Sequence, residues 1–400
     1  MARTLIRNIG EFYTGDIDEP ERAVCSLSIR DGRIEALDPP SGDETLFDAI
    51  VDADGCAVVP GLIDGHVHPV AGEWTPTQDA VGWIGNYLHG GTTSMLSAGE
   101  LHMPGLDYQR LTPDLVTSLA EVTAHTFGSH RPAGVKLHAG TVLLVPGMQE
   151  RHFDRLSAAG SRLVKFLFYP FAIDPSEARR YVAWARERGL LSKVHTGGVS
   201  RSGVSQICGF DVLSWLQPDI AAHVSGGPIP MSDDDLDRVI DELTFPLEIC
   251  SSGNYRSGLR AVRRLVQRGE LHRLTLGSDT PGGTGVIPRG AWRNILFLSS
   301  ICELSPGQAI AVATGNTGRA HRLEEGILAP GRPADLALCG PVEGSSGSSL
   351  ADAIAHGDLP GITHVFIDGR AVVAGRSRQT PPPRLKPVMR CCGPAAEGAA

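Results

Sequence analysis

Six residues of ligand type close apolar segments of this chain: His66 and His68, Lys165, His195, His223 and Asp279. The run Val59-Pro60-Gly61-Leu62-Ile63-Asp64-Gly65 leads straight into His66-Val67-His68. In an extended strand alternate side chains share a face, so these two imidazoles point the same way. A His-x-His by itself is more often a solvated strand end than a ligand pair. Here the pattern repeats: His195 runs into Thr196-Gly197-Gly198, His223 into Val224-Ser225-Gly226-Gly227, and Asp279 into Thr280-Pro281-Gly282-Gly283. Glycines at such points let a loop turn sharply and leave room for a small molecule. Imidazoles and a carboxylate gathered at one point hold a divalent cation, and such a cation activates water. The expected chemistry is metal-assisted hydrolysis.

The elements that must bring these residues together come next. Gly61 to His68, Gly91 to Leu96, Gly134 to His138, Arg162 to Leu167, Leu191 to His195, Ile220 to His223, Phe245 to Cys250 and Leu274 to Asp279 read as strands alternating with amphipathic helices. One helix is opened by Asp174-Pro175 and stopped by Gly189. Eight such units predict an α/β fold of the (β/α)8 TIM-barrel type, whose strand C-termini face one site. Both chain ends are β-rich. Ser26 to Arg30 and Arg33 to Leu37 flank the turn Asp31-Gly32, and Ala49 to Ala53 precedes Asp54-Gly55. Ala334 to Leu338 and Thr363 to Ile367 follow the barrel, the second closed by Asp368-Gly369. We expect residues 1–58 and 326–380 to join in a small β-sandwich, residues 59–325 to form the barrel, and 381–400 to be a flexible tail.

Composition narrows the function. The 400 residues are 42% hydrophobic and 20% charged, with net charge −9. No basic cluster interleaves with aromatics, so a nucleic-acid partner is not expected. The N-terminus lacks the apolar core of a signal peptide, and no apolar run reaches the roughly 18 residues of a membrane span. A cytoplasmic, homo-oligomeric enzyme with a small-molecule substrate is expected. The eight cysteines show no Cys-x-x-Cys spacing. Cys25, Cys56, Cys208, Cys250, Cys302 and Cys339 read mostly as buried free thiols, and Cys250, ending strand seven, as packed rather than nucleophilic. His138 ends strand three and reads either as a substrate contact or as a strand cap; we carry it as the substrate-binding candidate. His321 and the other histidines read as structural or solvated.

The opening string Pro60-Gly61-Leu62-Ile63-Asp64-Gly65-His66-Val67-His68 resembles the first motif of the amidohydrolase superfamily. Within it, His89-Gly90-Gly91-Thr92-Thr93, Arg131-Pro132-Ala133-Gly134-Val135-Lys136, His195-Thr196-Gly197-Gly198, His223 with Gly226-Gly227-Pro228, Asp279 with Gly285, and Ala313-Thr314-Gly315-Asn316 are similar to the enamidase group, which opens a cyclic enamide. The resemblance implies two divalent metals, zinc first, with iron or manganese as alternatives. His66 and His68 would hold the more buried ion, His195 and His223 the second, and Asp279 would ligate the first and act as general base. Lys165 falls where the superfamily places a bridging carboxylate: a glutamate in the enamidase, a carboxylated lysine in related cyclic amidases.

An ammonium between two dications is repelled, and a neutral amine has a single lone pair; a carbamate formed from CO2 offers two oxygens. Lys193 and Lys136 compete for the role, each read as lying deeper in the barrel than Lys165. The implied reaction opens the C–N bond of a small cyclic amide, lactam, enamide or imide by a metal-bridged hydroxide. The alternatives are a hydrolytic deaminase of a heterocycle, an acyclic amidase or peptidase, and a non-catalytic scaffold.

Overall fold

The computed structural model describes residues 3–40, 42–69, 83–99, 107, 110–167, 173–198, 207–226, 229–251, 253–281 and 285–392. Gly227, Pro228, Gly282 and Gly283, named above, lie outside the described residues.

The N-terminal end forms β1 (Arg3–Arg7), β2 (Glu11–Phe12), β3 (Ser26–Arg30), β4 (Arg33–Leu37), β5 (Ala49–Asp52) and β6 (Ala57–Pro60). The expected turn between β3 and β4 is present. Asp31 and Gly32 both have positive φ, 49° and 83°, and Arg30 pairs with Arg33. That is the backbone a two-residue Asp-Gly hairpin requires.

The barrel follows as β7 (Leu62–Val67), β8 (Thr92–Ser97), β9 (Lys136–His138), β10 (Val142–Leu143), β11 (Leu163–Phe166), β12 (Leu191–His195), β13 (Ile220–Ala222), β14 (Leu247–Cys250) and β15 (Leu274–Gly277). The β7-β8-β9 and β10-to-β15 sheets are parallel throughout. β15 returns to β7 through the parallel bridge Val67–Thr280 and the bond from Asp279 N–H to the His66 carbonyl. The third barrel position is split. β9 pairs with β8, then the chain turns at Gly140, φ 89°, and β10 pairs with β11. Eight strand positions result, as expected for the (β/α)8 fold.

Amphipathic helices α1 (Trp83–His89), α2 (Pro113–Ser129), α3 (Glu150–Ala158), α4 (Pro175–Glu187), α5 (Phe210–Leu216), α6 (Asp233–Glu242) and α7 (Tyr255–Gln267) pack outside the strands. Helix α4 begins as its sequence demands: the Asp174 carboxylate accepts from Ser176 N–H and Glu177 N–H, and Pro175 occupies the first turn. Among the described residues, no helix is long and apolar enough to cross a membrane.

After the barrel come β16 (Leu336–Gly340), β17 (Gly361–Ile367), β18 (Arg370–Val373) and β19 (Val388–Cys391). They complete two five-stranded sheets, β19-β5-β1-β3-β4 and β18-β17-β16-β6-β2. Ile6, Leu27, Val51, Val58, Leu336, Leu338 and Phe366 form the apolar layer between these sheets. The alternate residues Ala57, Val59, Ala337, Cys339 and Val365 face the barrel core instead. The second sheet is therefore buried on both faces, which explains why β16 carries no polar alternation.

One boundary needs correcting. The tail expected from residue 381 stays attached further on: Val342 bridges Pro383, and β19 pairs antiparallel with β5, Val388 opposite Asp52 and Cys391 opposite Ala49. The Pro-rich run Pro381-Pro382-Pro383 concealed a short edge strand behind it. Residues 393–400 lie outside the described residues. Cys25 is exposed, against expectation, while Cys56, Cys208, Cys250, Cys302 and Cys339 are buried free thiols.

Candidate metal centre

Inside the barrel the side chains stack in layers. At the N-terminal end Ile63, Leu96, Leu163, Leu191, Ile220 and Leu323 form a separate apolar plug. Two residues on, the same faces of β11 and β12 carry Lys165 and Lys193. Beyond them lie His195, ending β12, and His223, just past β13. On β7 the ladder shifts register between Asp64 and Val67, and both His66 and His68 reach the site beyond that shift.

The predicted ligands converge. The His66 ring centroid lies 5.1 Å from that of His68 and 5.2 Å from that of His223; His195 and His223 are 4.6 Å apart. Asp279 Oδ1 is 3.0 Å from His68 Nε2 and 3.5 Å from His66 Nε2. These side chains are nearly or wholly buried. His223 and Asp279 also hold left-handed backbone, φ 40° and 59°, a conformation that costs a non-glycine residue about 1–3 kcal/mol and is found where surroundings over-determine it.

Hydrogen bonds set which ring nitrogens face inward. His66 Nδ1 lies 2.5 Å from Glu248 Oε1, His68 Nδ1 3.2 Å from the Gly99 carbonyl, and His195 Nε2 3.3 Å from the Gly198 carbonyl. Each partner can only accept, so the bonded nitrogen of His66 and of His195 carries the proton and leaves the other its lone pair, whereas His68 has an acceptor at each nitrogen, the Gly99 carbonyl and Asp279 Oδ1. For His66 and His68 that other nitrogen faces the Asp279 carboxylate. The three ligand atoms lie close enough together to share one cation. The donor set thus fits a divalent metal bound by His66, His68 and Asp279, and a second one by His195 and His223.

Electrostatics agree. Burial, with Lys165 and Lys193 nearby, pushes His66 well below the ordinary histidine value. Burial and then Lys165 push His195 down to about 4. Burial and then His195 push His223 well down. These imidazoles are neutral, as ligands must be. Asp279 is buried, which by itself raises a carboxyl; the hydrogen bond from His68, with the imidazoles of His66 and His223 close by, outweighs that and holds it below the usual range.

The three lysines differ in their partners. Lys136 bonds Asp335 at 2.8 Å and Asp368 at 2.7 Å, with Glu325 at 3.3 Å. Lys193 bonds Glu248 at 2.5 Å and the Gly65 carbonyl at 2.6 Å. Lys165 Nζ is buried with no hydrogen-bond partner among the described residues. Burial and then Lys193 lower it to about 8. Depth does not separate Lys165 from Lys193, contrary to the expectation above, since they are register partners.

His138 is half-buried, and its buried Nε2 has no hydrogen-bond partner among the described residues. The charges acting on it are Arg162, Glu325, Lys136 and Arg131. His138 ends β9 opposite Leu96 of β8. The same barrel position continues past His138 to β10, where Leu143 pairs with Lys165.

Glu248 escaped the sequence reading. It is a lone acid in Leu247-Glu248-Ile249-Cys250, wholly buried. A carboxylate inside an otherwise apolar strand was the available signal.

Comparison with known proteins follows the same lines. A model of the amidohydrolase family matches residues 215–372. Enamidase from Eubacterium barkeri is 38% identical over 386 residues, covering 96% of this chain and 98% of that protein. The crystal structure of enamidase at 1.9 Å, described as a new member of the amidohydrolase superfamily, superposes with TM-score 0.90 at 36% identity over 97% of this chain and 100% of that one. Adenine deaminase from Ruegeria sp. (strain TM1040) is 26% identical over 364 residues, 84% of this chain and 54% of that protein. The chain belongs to the amidohydrolase superfamily. It is a hydrolase of carbon–nitrogen bonds other than peptide bonds.

Proposed function

We propose that this chain is a metal-dependent hydrolase that opens the C–N bond of a small cyclic amide, a lactam, enamide or imide, by adding water across it. The observation that carries the reading is the convergence of four buried histidines and Asp279 on one point beside a buried lysine without a hydrogen-bond partner among the described residues. The likeness to enamidase over nearly its whole length supports the cyclic substrate class.

His66, His68 and Asp279 would hold one zinc ion, His195 and His223 the other, with Lys165 between them as a carbamate. Bound there, the metals supply Lewis acidity and lower the pKa of water to near neutrality. Formation of the carbamate balances: the neutral Nζ attacks the carbon of CO2, one N–H proton leaves, and the two oxygens share one negative charge. A lysine lowered to about 8 supplies more neutral amine at pH 7 than an ordinary one. Asp279 then does the proton work. Its carboxylate, ionised at neutral pH, accepts a proton from the attacking water and delivers it to the leaving nitrogen. The products are a carboxylic acid and the freed nitrogen group, an amine from a lactam, an amide from an imide and an enamine from an enamide, still joined through the opened ring.

Turnover of lactams, imides, hydantoins and dihydropyrimidines by the zinc-loaded protein tests this reading. Ring opening of these four classes without ammonia release is expected, whereas an opened enamide frees ammonia afterwards, as its enamine takes up water to give a carbonyl compound. Stoichiometric ammonia from an aminated heterocycle would instead establish the deaminase reading, which the likeness to adenine deaminase favours.

A further inference from the structure

We propose that Glu248 and Lys193 are positioning residues that hold His66 in the one tautomer and orientation able to bind a metal. The inference rests on the metal reading above. Glu248 Oε1 lies 2.5 Å from His66 Nδ1, and Oε2 lies 2.5 Å from Lys193 Nζ. Lys193 closes a loop by donating to the carbonyl of Gly65, the residue before His66, at 2.6 Å. The pair therefore grips both the imidazole and the backbone that carries it. All three side chains are at most 1% exposed.

The charges explain why both partners are present. A buried carboxylate alone is strongly penalised, and a buried ammonium no less; each compensates the other. Being acceptor-only, Glu248 obliges His66 Nδ1 to carry the proton and leaves Nε2 bare toward Asp279. A carboxylate partner also makes the imidazole a more basic ligand. His68 and His195 lean instead on neutral backbone carbonyls at 3.2 Å and 3.3 Å. His66 is thus the histidine of these three whose nitrogen turned away from Asp279 rests on a charged group, so the ion it holds should depend selectively on the Glu248–Lys193 pair. The close fit leaves no slack. A Cβ on Gly65 would sit 2.6 Å from the Leu276 carbonyl and 3.2 Å from Glu248 Oε2.

The test is zinc affinity at each position, measured by chelator competition. Cobalt absorption spectra report the ligand set, and melting of the metal-stripped protein reports folding. Glu248→Gln alone strands the Lys193 ammonium and can fail to fold, so the double variant Glu248→Gln/Lys193→Met is made beside it. We expect that double variant to melt cooperatively without metal. One zinc equivalent should bind about 10- to 100-fold more weakly and the other unchanged. Native affinity for both ions, or an equal loss at both, would overturn the inference while leaving the metal reading intact. If the unmodified protein binds no zinc, the metal reading itself fails and takes this one with it.

Discussion

Lys165 and Lys193 face each other in register on neighbouring strands β11 and β12, yet Glu248 bonds Lys193 and leaves Lys165 without a partner among the described residues. The identity of the partner, not the depth in the barrel, distinguishes a lysine that neutralises an acid from one available for carbamate chemistry. Lys165→Ala should abolish activity and bind fewer than two zinc ions per chain. Acetate or propionate with excess zinc should restore part of the rate by supplying the missing carboxylate. Full loading with normal turnover in Lys165→Ala would show that no bridge is needed there.

Asp279→Asn should fold normally and lose about 10²-fold or more in turnover, the scale of removing a general base. The amide keeps the shape and one acceptor oxygen but cannot accept the proton. Steady-state kinetics and a far-ultraviolet spectrum decide the matter. Near-native kcat would move the proton transfer to another group.

Lys136 is a structural control on the same barrel. It joins β9 to Asp335 and Asp368, which flank β16 and β17 of the sandwich. Its removal strands the buried Asp335 carboxylate. Lys136→Met should cost roughly 3–5 kcal/mol in urea unfolding, the range for breaking a buried pair, with both zinc positions unaffected in the protein that remains folded. A loss of zinc without loss of stability would refute that division of labour.

The neutral histidines make the metal-free protein acid-sensitive in a defined window. His195 sits at about 4 in the fold, while an unfolded histidine titrates near 6.5. Between these values the unfolded chain binds more protons, so stability rises with pH across the window and is lost as pH falls below about 6.5. His66 and His223 act in the same direction. Urea midpoints of chelator-treated protein should therefore drop from pH 7 to pH 4.5, and His195→Gln should flatten the slope. An unchanged slope in that variant would mean that His195 is protonated in the fold.

The barrel and most of its candidate ligands were legible because their signals are local. A strand ends, a histidine follows, and glycine turns the chain. Asp31-Gly32, Asp54-Gly55 and Asp368-Gly369 were legible for the same reason, and all six residues have positive φ. What stayed hidden depends on partners distant in sequence. Glu248 matters through His66, 182 residues away. Lys193 was ranked by its offset from His195, whereas its level is set by pairing with Lys165. His138 looked like a strand end until β10 extended the same barrel position toward Lys165. The string Ala313-Thr314-Gly315-Asn316, family-like in sequence, acts in packing: Asn316 Nδ2 donates to the Leu271 and Leu274 carbonyls, and a Cβ on Gly315 would lie 2.0 Å from the Gly15 carbonyl.

The interleaving of both chain ends imposes an order on synthesis. β2 and β6 are made first, but their sheet is finished only when β16, β17 and β18 arrive. The whole barrel lies between Pro60 and Leu336, a delay of roughly 15 to 55 s at ribosomal rates of about 5–20 residues per second. Throughout it β6 presents an open edge, the kind of template that captures stray strands. The nascent chain is thus most exposed to mispairing while its own catalytic core is still being translated, and a chaperone that shields β6 during that interval would raise the yield of active enzyme.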